Sequence, residues 1–112
     1  MTAFAKRLPP PDLPIVLCDG FWVEVIHWGK ASGLPHNGGY LRATDAHGGK
    51  TKIIEVYAPG RDAGLESDVQ DVFIRSLQAL PRGLAVENEK GERFFVDVRM
   101  GTARRLEQGG NP

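Results

Sequence analysis

The amino-acid sequence predicts an α+β fold: one domain, with a largely antiparallel sheet of about six strands and one helix packed on one face. Two observations support this. Short runs rich in β-branched and aromatic residues are separated by glycine-rich turns. Between Leu65 and Leu80 the apolar spacing changes from two to three or four. The order is β-β-β-β-α-β-β, with the sheet either open or curled into a half-barrel. A chain of 112 residues is one domain and is long enough to bury a core without disulfides.

Residues 1–14 read as a proline-rich arm. Pro9-Pro10-Pro11 favours an extended polyproline conformation, and Phe4 and Leu8 are the arm's apolar side chains. The domain proper spans 15–101. It opens with Ile15–Cys18, and Asp19-Gly20 then joins this run to Phe21–Trp28. Asp-Gly between two β-rich runs favours a type I′ hairpin, because both central residues need positive φ. A long loop follows, from Gly29 to Gly39. Tyr40–Asp45 and Lys50–Ala58 are the next two strands, joined at His47-Gly48-Gly49.

The expected helix has Ser67 as its cap and Gln70 three residues later, a capping-box pattern. Leu65, Val69, Val72, Phe73, Ser76, Leu77 and Leu80 form its stripe, Asp68 and Asp71 suit its positive end, and Pro81 and Gly83 stop it. Leu84–Asn88 and Arg93–Met100 form a last hairpin. In the latter, Phe94, Val96, Val98 and Met100 alternate with Phe95, Asp97 and Arg99. Residues 102–112 read as a flexible polar tail.

Composition narrows the function classes. Fourteen basic residues balance fourteen acidic ones, which disfavours general affinity for nucleic acid. Cys18 is the only cysteine, so no disulfide forms within the chain, and its place in an apolar run suits a small hydrophobe. No run approaches the roughly 20 apolar residues that span a bilayer. A cytoplasmic location with no membrane contact is the expectation.

Chemical motifs are sparse. His27, His36 and His47 lack metal-ligand spacing, and His36 and His47 leave opposite ends of one strand. No metal or cofactor is expected. Gly29–Gly33 has the composition of a phosphate loop but no helix after it. Gly60-Arg61 precedes the expected helix, but Asp62, Glu66 and Asp68 fill that field with negative charge.

The most informative stretch is Phe21–Trp28, which is apolar on both faces and holds both tryptophans. A single helix covers only two or three strands, since strands lie about 4.8 Å apart and a helix is about 10 Å wide. Val23 and Val25 are assigned to the helix side. That leaves Trp22, Ile26 and Trp28, with Tyr40, Tyr57 and Phe95 on other strands, as surplus apolar surface. Trp and Tyr are typical interface anchors. The favoured function is therefore a non-enzymatic protein-binding or assembly module, with a second copy or another protein as partner. The protein-interface set is Trp22, Ile26, Trp28, Tyr40 and Phe95. An alternative is an enzyme or ligand-binding protein with a pocket under the 29–39 loop, using Glu24 and His27. A third reading is nucleic-acid binding through Arg99, Arg104 and Arg105, with Arg93 nearby and Phe95 and Tyr40 as stacking aromatics.

Overall fold

The computed structural model describes residues 9–58 and 71–106, and it is all-β. Strands β1 (Val16–Cys18), β2 (Phe21–Ile26), β3 (Tyr40–Asp45) and β4 (Thr51–Glu55) form one antiparallel sheet in chain order. Strands β5 (Ile74–Leu80), β6 (Gly83–Asn88), β7 (Arg93–Asp97) and β8 (Thr102–Arg105) form a second. The only helical turn among the described residues is a short 3-10 segment, Gly29–Ser32.

This corrects the expectation of an α+β domain with a packed helix. Residues 74–80 are strand β5, and Pro81-Arg82 is a hairpin turn rather than a helix stop. The misreading has a local cause. Ile74 pairs with Asn88 and Leu77 with Val86, and a bulge at Arg75 inserts one extra residue between them. The residues read as one stripe do not share a face: Phe73 precedes the strand, and Leu77 and Leu80, three apart in its regular stretch, lie on opposite sides of it. Ser67, Asp68 and Gln70 lie outside the described residues, as do Phe4, Leu8 and Gly60-Arg61. The stretch after Gly101, read as a polar tail, supplies β8.

The hairpin at Asp19-Gly20 forms as expected, with φ of 51° and 83°, and it pairs Cys18 with Phe21 and Leu17 with Trp22. Its register then fixes every face of the first sheet. Cys18, Val23, Leu41, Ala43, Ile54 and Val56 point inward. They meet Ile74, Leu84, Val86, Phe94, Val96 and Val98 of the second sheet in one core. The cover over Val23 and Val25 is thus a sheet and not a helix. At about 25 cal/mol per Å2 of apolar surface, burial on this scale is the main stabilising term of a sandwich.

Side chains tie the sheets together at both ends. Arg99 reaches the Asp19 carboxylate at 3.1 Å, and Lys52 Nζ donates to Arg99 O at 2.8 Å. Near these turns the Asp45 carboxylate accepts the N–H groups of His47 and Gly48, which hold its carboxyl below the usual range. At the far end, Tyr57 OH donates to Val72 O at 2.6 Å, and its ring stacks on Phe94. Burial pushes the Tyr57 phenol well up.

Candidate functional site

The outer face of the first sheet is built in rows across the strands. One row runs Leu17–Trp22–Thr44–Thr51, and the next runs Glu24–Arg42–Ile53. Leu17 is 51% exposed, Trp22 47% and Ile53 44%. Period-two alternation explains this placement: Cys18, Val23 and Ile54 turn inward, so their neighbours Leu17, Trp22 and Ile53 must turn outward. Between the apolar groups Arg42 Nη1 lies 3.5 Å from Glu24 Oε2. Thr44 and Thr51 share a hydrogen bond at 3.1 Å. The face is therefore apolar on two flanks and ionic at its middle.

A third row, Ile26–Tyr40–Glu55, is covered. Residues 27–39 fold back over it, and both Ile26 and Tyr40 are buried. Gly29 lies so close to the Tyr40 ring that a Cβ there would sit 2.9 Å from it. The His36 ring stacks on Tyr40 at 4.5 Å. His36 Nδ1 donates to Gly38 O at 3.1 Å, and Nε2 faces Glu55 at 3.7 Å. Burial, and then the Glu55 charge, raise the Tyr40 phenol.

The five side chains of the expected interface thus lie in separate places. Trp22 is on the open face, and Ile26 and Tyr40 lie beneath the loop. Trp28 is 53% exposed but falls beyond the end of β2, with its ring edge-on to Phe73 at 5.1 Å. Phe95 is on the outer face of the second sheet, lying over Gly83 with the Arg104 guanidinium 5.4 Å above it. Sequence reasoning missed Leu17 and Ile53. The signal for Leu17 was present, because a two-residue Asp19-Gly20 turn sets Leu17 directly beside Trp22.

The other candidates are also placed. Glu24 is half-exposed in its pair with Arg42, whereas His27 Nε2 donates to Pro11 O at 2.8 Å and its ring meets Phe73 edge-on. The two are held by different partners. Leu13 packs against the core, so residues 9–14 of the arm follow the domain surface. Arg99 is paired with Asp19, Arg105 with Glu92 at 3.4 Å, and Arg104 stacks on Phe95. Adjacent strand residues alternate faces, so Arg104 and Arg105 leave β8 on opposite sides. Arg105 and Glu92 border a cleft of about 280 Å3 floored by Tyr57 and Phe94. Cys18 is buried, and its thiol donates to Gly83 O at 3.1 Å; burial and the Asp19 charge push the thiol up, away from the reactive thiolate.

Among the described residues no three His, Cys, Asp or Glu side chains are grouped to hold a metal ion, and no helix is long and apolar enough to cross a membrane. Compared with family models, curated proteins and solved structures, the chain shows no match.

Proposed function

We propose that this domain is a non-enzymatic assembly module that associates with a second copy of itself through the outer face of the first sheet. The observation that supports this is the exposure of Leu17, Trp22 and Ile53 on one strand face. The face is also self-complementary in charge. A two-fold axis along the strands between β2 and β3 sets Glu24 of each copy against Arg42 of the other, and lays Trp22 and Leu17 of each over the Thr44–Thr51 pair of its partner. The zero net charge opposes no such approach. The face is roughly 20 Å by 20 Å, by strand spacing and length. That is roughly 800 Å2 over both copies, in the range of weak, transient interfaces, so a dissociation constant of about 100 μM is expected.

Trp22→Asp tests the reading. Trp22 is half-exposed in the single copy, so the fold should lose no more than about 1 kcal/mol. An anchoring tryptophan typically contributes about 2 kcal/mol to association, so the dissociation constant should rise about 30-fold. Sedimentation velocity across a concentration series measures both species. Wild type that stays monomeric at several hundred micromolar, or an unchanged constant in the variant, overturns the reading.

A further inference from the structure

Among the described residues each sheet ends in two edge strands, and three of these four are protected. β1 has three residues and follows Pro14, β4 carries Lys52, and β8 carries Arg104 and Arg105. Short length, proline and charge are the usual means by which an edge avoids pairing. β5 differs. It is the longest of the eight strands at seven residues, and from Ser76 to Leu80 it contains no charge. Its register with β6 is regular over those five residues, because the bulge lies before them. Ser76, Gln78 and Ala79 are exposed.

The direction of its backbone groups follows from the turn. Pro81-Arg82 is a two-residue hairpin loop, so Leu80 and Gly83 are a hydrogen-bonded pair. Hydrogen-bonded and non-bonded pairs alternate, which makes Gln78–Ala85 and Ser76–Glu87 bonded pairs as well. Leu77 and Ala79 therefore turn their N–H and C=O groups away from β6, to the side on which no strand among the described residues pairs with β5. These are four backbone groups on two residues, spaced as one side of an antiparallel ladder.

We infer that the β5 edge pairs with β5 of a second copy, antiparallel about a two-fold axis through Gln78. In this register Leu77 of each copy opposes Ala79 of the other, and Gln78 opposes Gln78. All four outward groups are satisfied by four hydrogen bonds. Moving the axis to Ala79 would set Leu77 against Pro81, which has no N–H, and moving it to Leu77 would bring in the Arg75 bulge. An axis perpendicular to the sheet keeps like faces together. Leu77 and Ala79, on the inward face, then extend the core edge, and Gln78 side chains meet on the outer face. This contact is independent of the Trp22 face.

Hydrogen exchange on the full chain reads the pairing directly. The Leu77 and Ala79 amides should be slow to exchange, with protection that rises with protein concentration and persists in Trp22→Asp. Ala79→Pro removes one outward donor; proline is tolerated where a strand N–H faces solvent, so the single copy should keep its fold. Its Leu77 protection should disappear, and the β5 contact should weaken by about tenfold or more. Gln78→Lys sets like charges across the axis with no change to the backbone, and it should act the same way if Ala79→Pro folds poorly. Rapid exchange at Leu77 and Ala79 at every concentration overturns the inference. So does concentration-dependent protection that Gln78→Lys leaves unchanged.

Discussion

Gly38→Ala is expected to destabilise the fold by roughly 2–5 kcal/mol, through backbone strain and a steric clash together. Gly38 has φ of 77°, where an L side chain costs about 1–2 kcal/mol. A Cβ there would lie 2.2 Å from Val72 O, a backbone atom that cannot rotate away. Residues 71–73 would have to move. That segment is held by Asn37 Nδ2 to Asp71, by Tyr57 OH to Val72 O, and by Phe73 N to Glu89. Forcing extra volume into such packing adds about 1–3 kcal/mol. Gly33→Ala is the control. Its φ is 86°, and a Cβ there meets nothing within 4 Å, so it should cost only the backbone part, about 1–2 kcal/mol. Urea denaturation of both variants isolates the difference. Equal losses would mean that the 71–73 segment does not press on Gly38.

The same contact shows where sequence reasoning reached and where it stopped. Local chemistry was readable. Asp19-Gly20 specified its hairpin, and the run Tyr40–Asp45 is strand β3. Leu84–Asn88 and Phe94–Val98 showed the period of two that their burial follows. What failed was one strand whose period is broken. Phe73, Leu77 and Leu80 fell on the expected helix's stripe, whereas the bulge at Arg75 hid the alternation that would have marked a strand. With β5 assigned to a helix, no second sheet was available to cover Val23 and Val25. The covering of Tyr40 was also hidden, because it depends on a loop folding back through Gly29 and His36. Loop return of this kind has no periodic signature. Trp22 is exposed on the outer face, and Leu17 and Ile53 beside it were not anticipated, since each reads as ordinary strand interior until the register is known.

Asn88→Ala is expected to cost about 3 kcal/mol and to loosen the same end of the sandwich from the other sheet. Asn88 is the buried polar side chain of the described core. Its Oδ1 accepts the N–H groups of Lys90 and Glu92, both at 3.0 Å, and its Nδ2 donates to Glu92 Oε1 at 2.9 Å. The side chain thus closes the turn between β6 and β7. Removing it leaves two partly buried amides without an acceptor, at about 1–2 kcal/mol each, and opens a small void. Asn88→Asp separates the two halves of this network. It keeps the acceptor for both amides, but it sets a carboxylate against Glu92 where a donor stood. At a site only 1% exposed, desolvation and repulsion from Glu92 outweigh the two amide donors and raise the pKa of the introduced carboxyl above its unfolded value. A raised acid contributes stability below its unfolded pKa and loses it as pH rises. Asn88→Asp should therefore lie closest to wild type below about pH 4 and fall behind it towards neutrality. Thermal unfolding from about pH 3.5 to about pH 7.5 checks this: Asn88→Ala should run parallel to wild type, while Asn88→Asp diverges from it as pH rises. Parallel curves for all three would mean that Glu92 turns away from residue 88, and that the turn is held by its backbone bonds, Asn88 N to Glu92 O and Gly91 N to Asn88 O, alone.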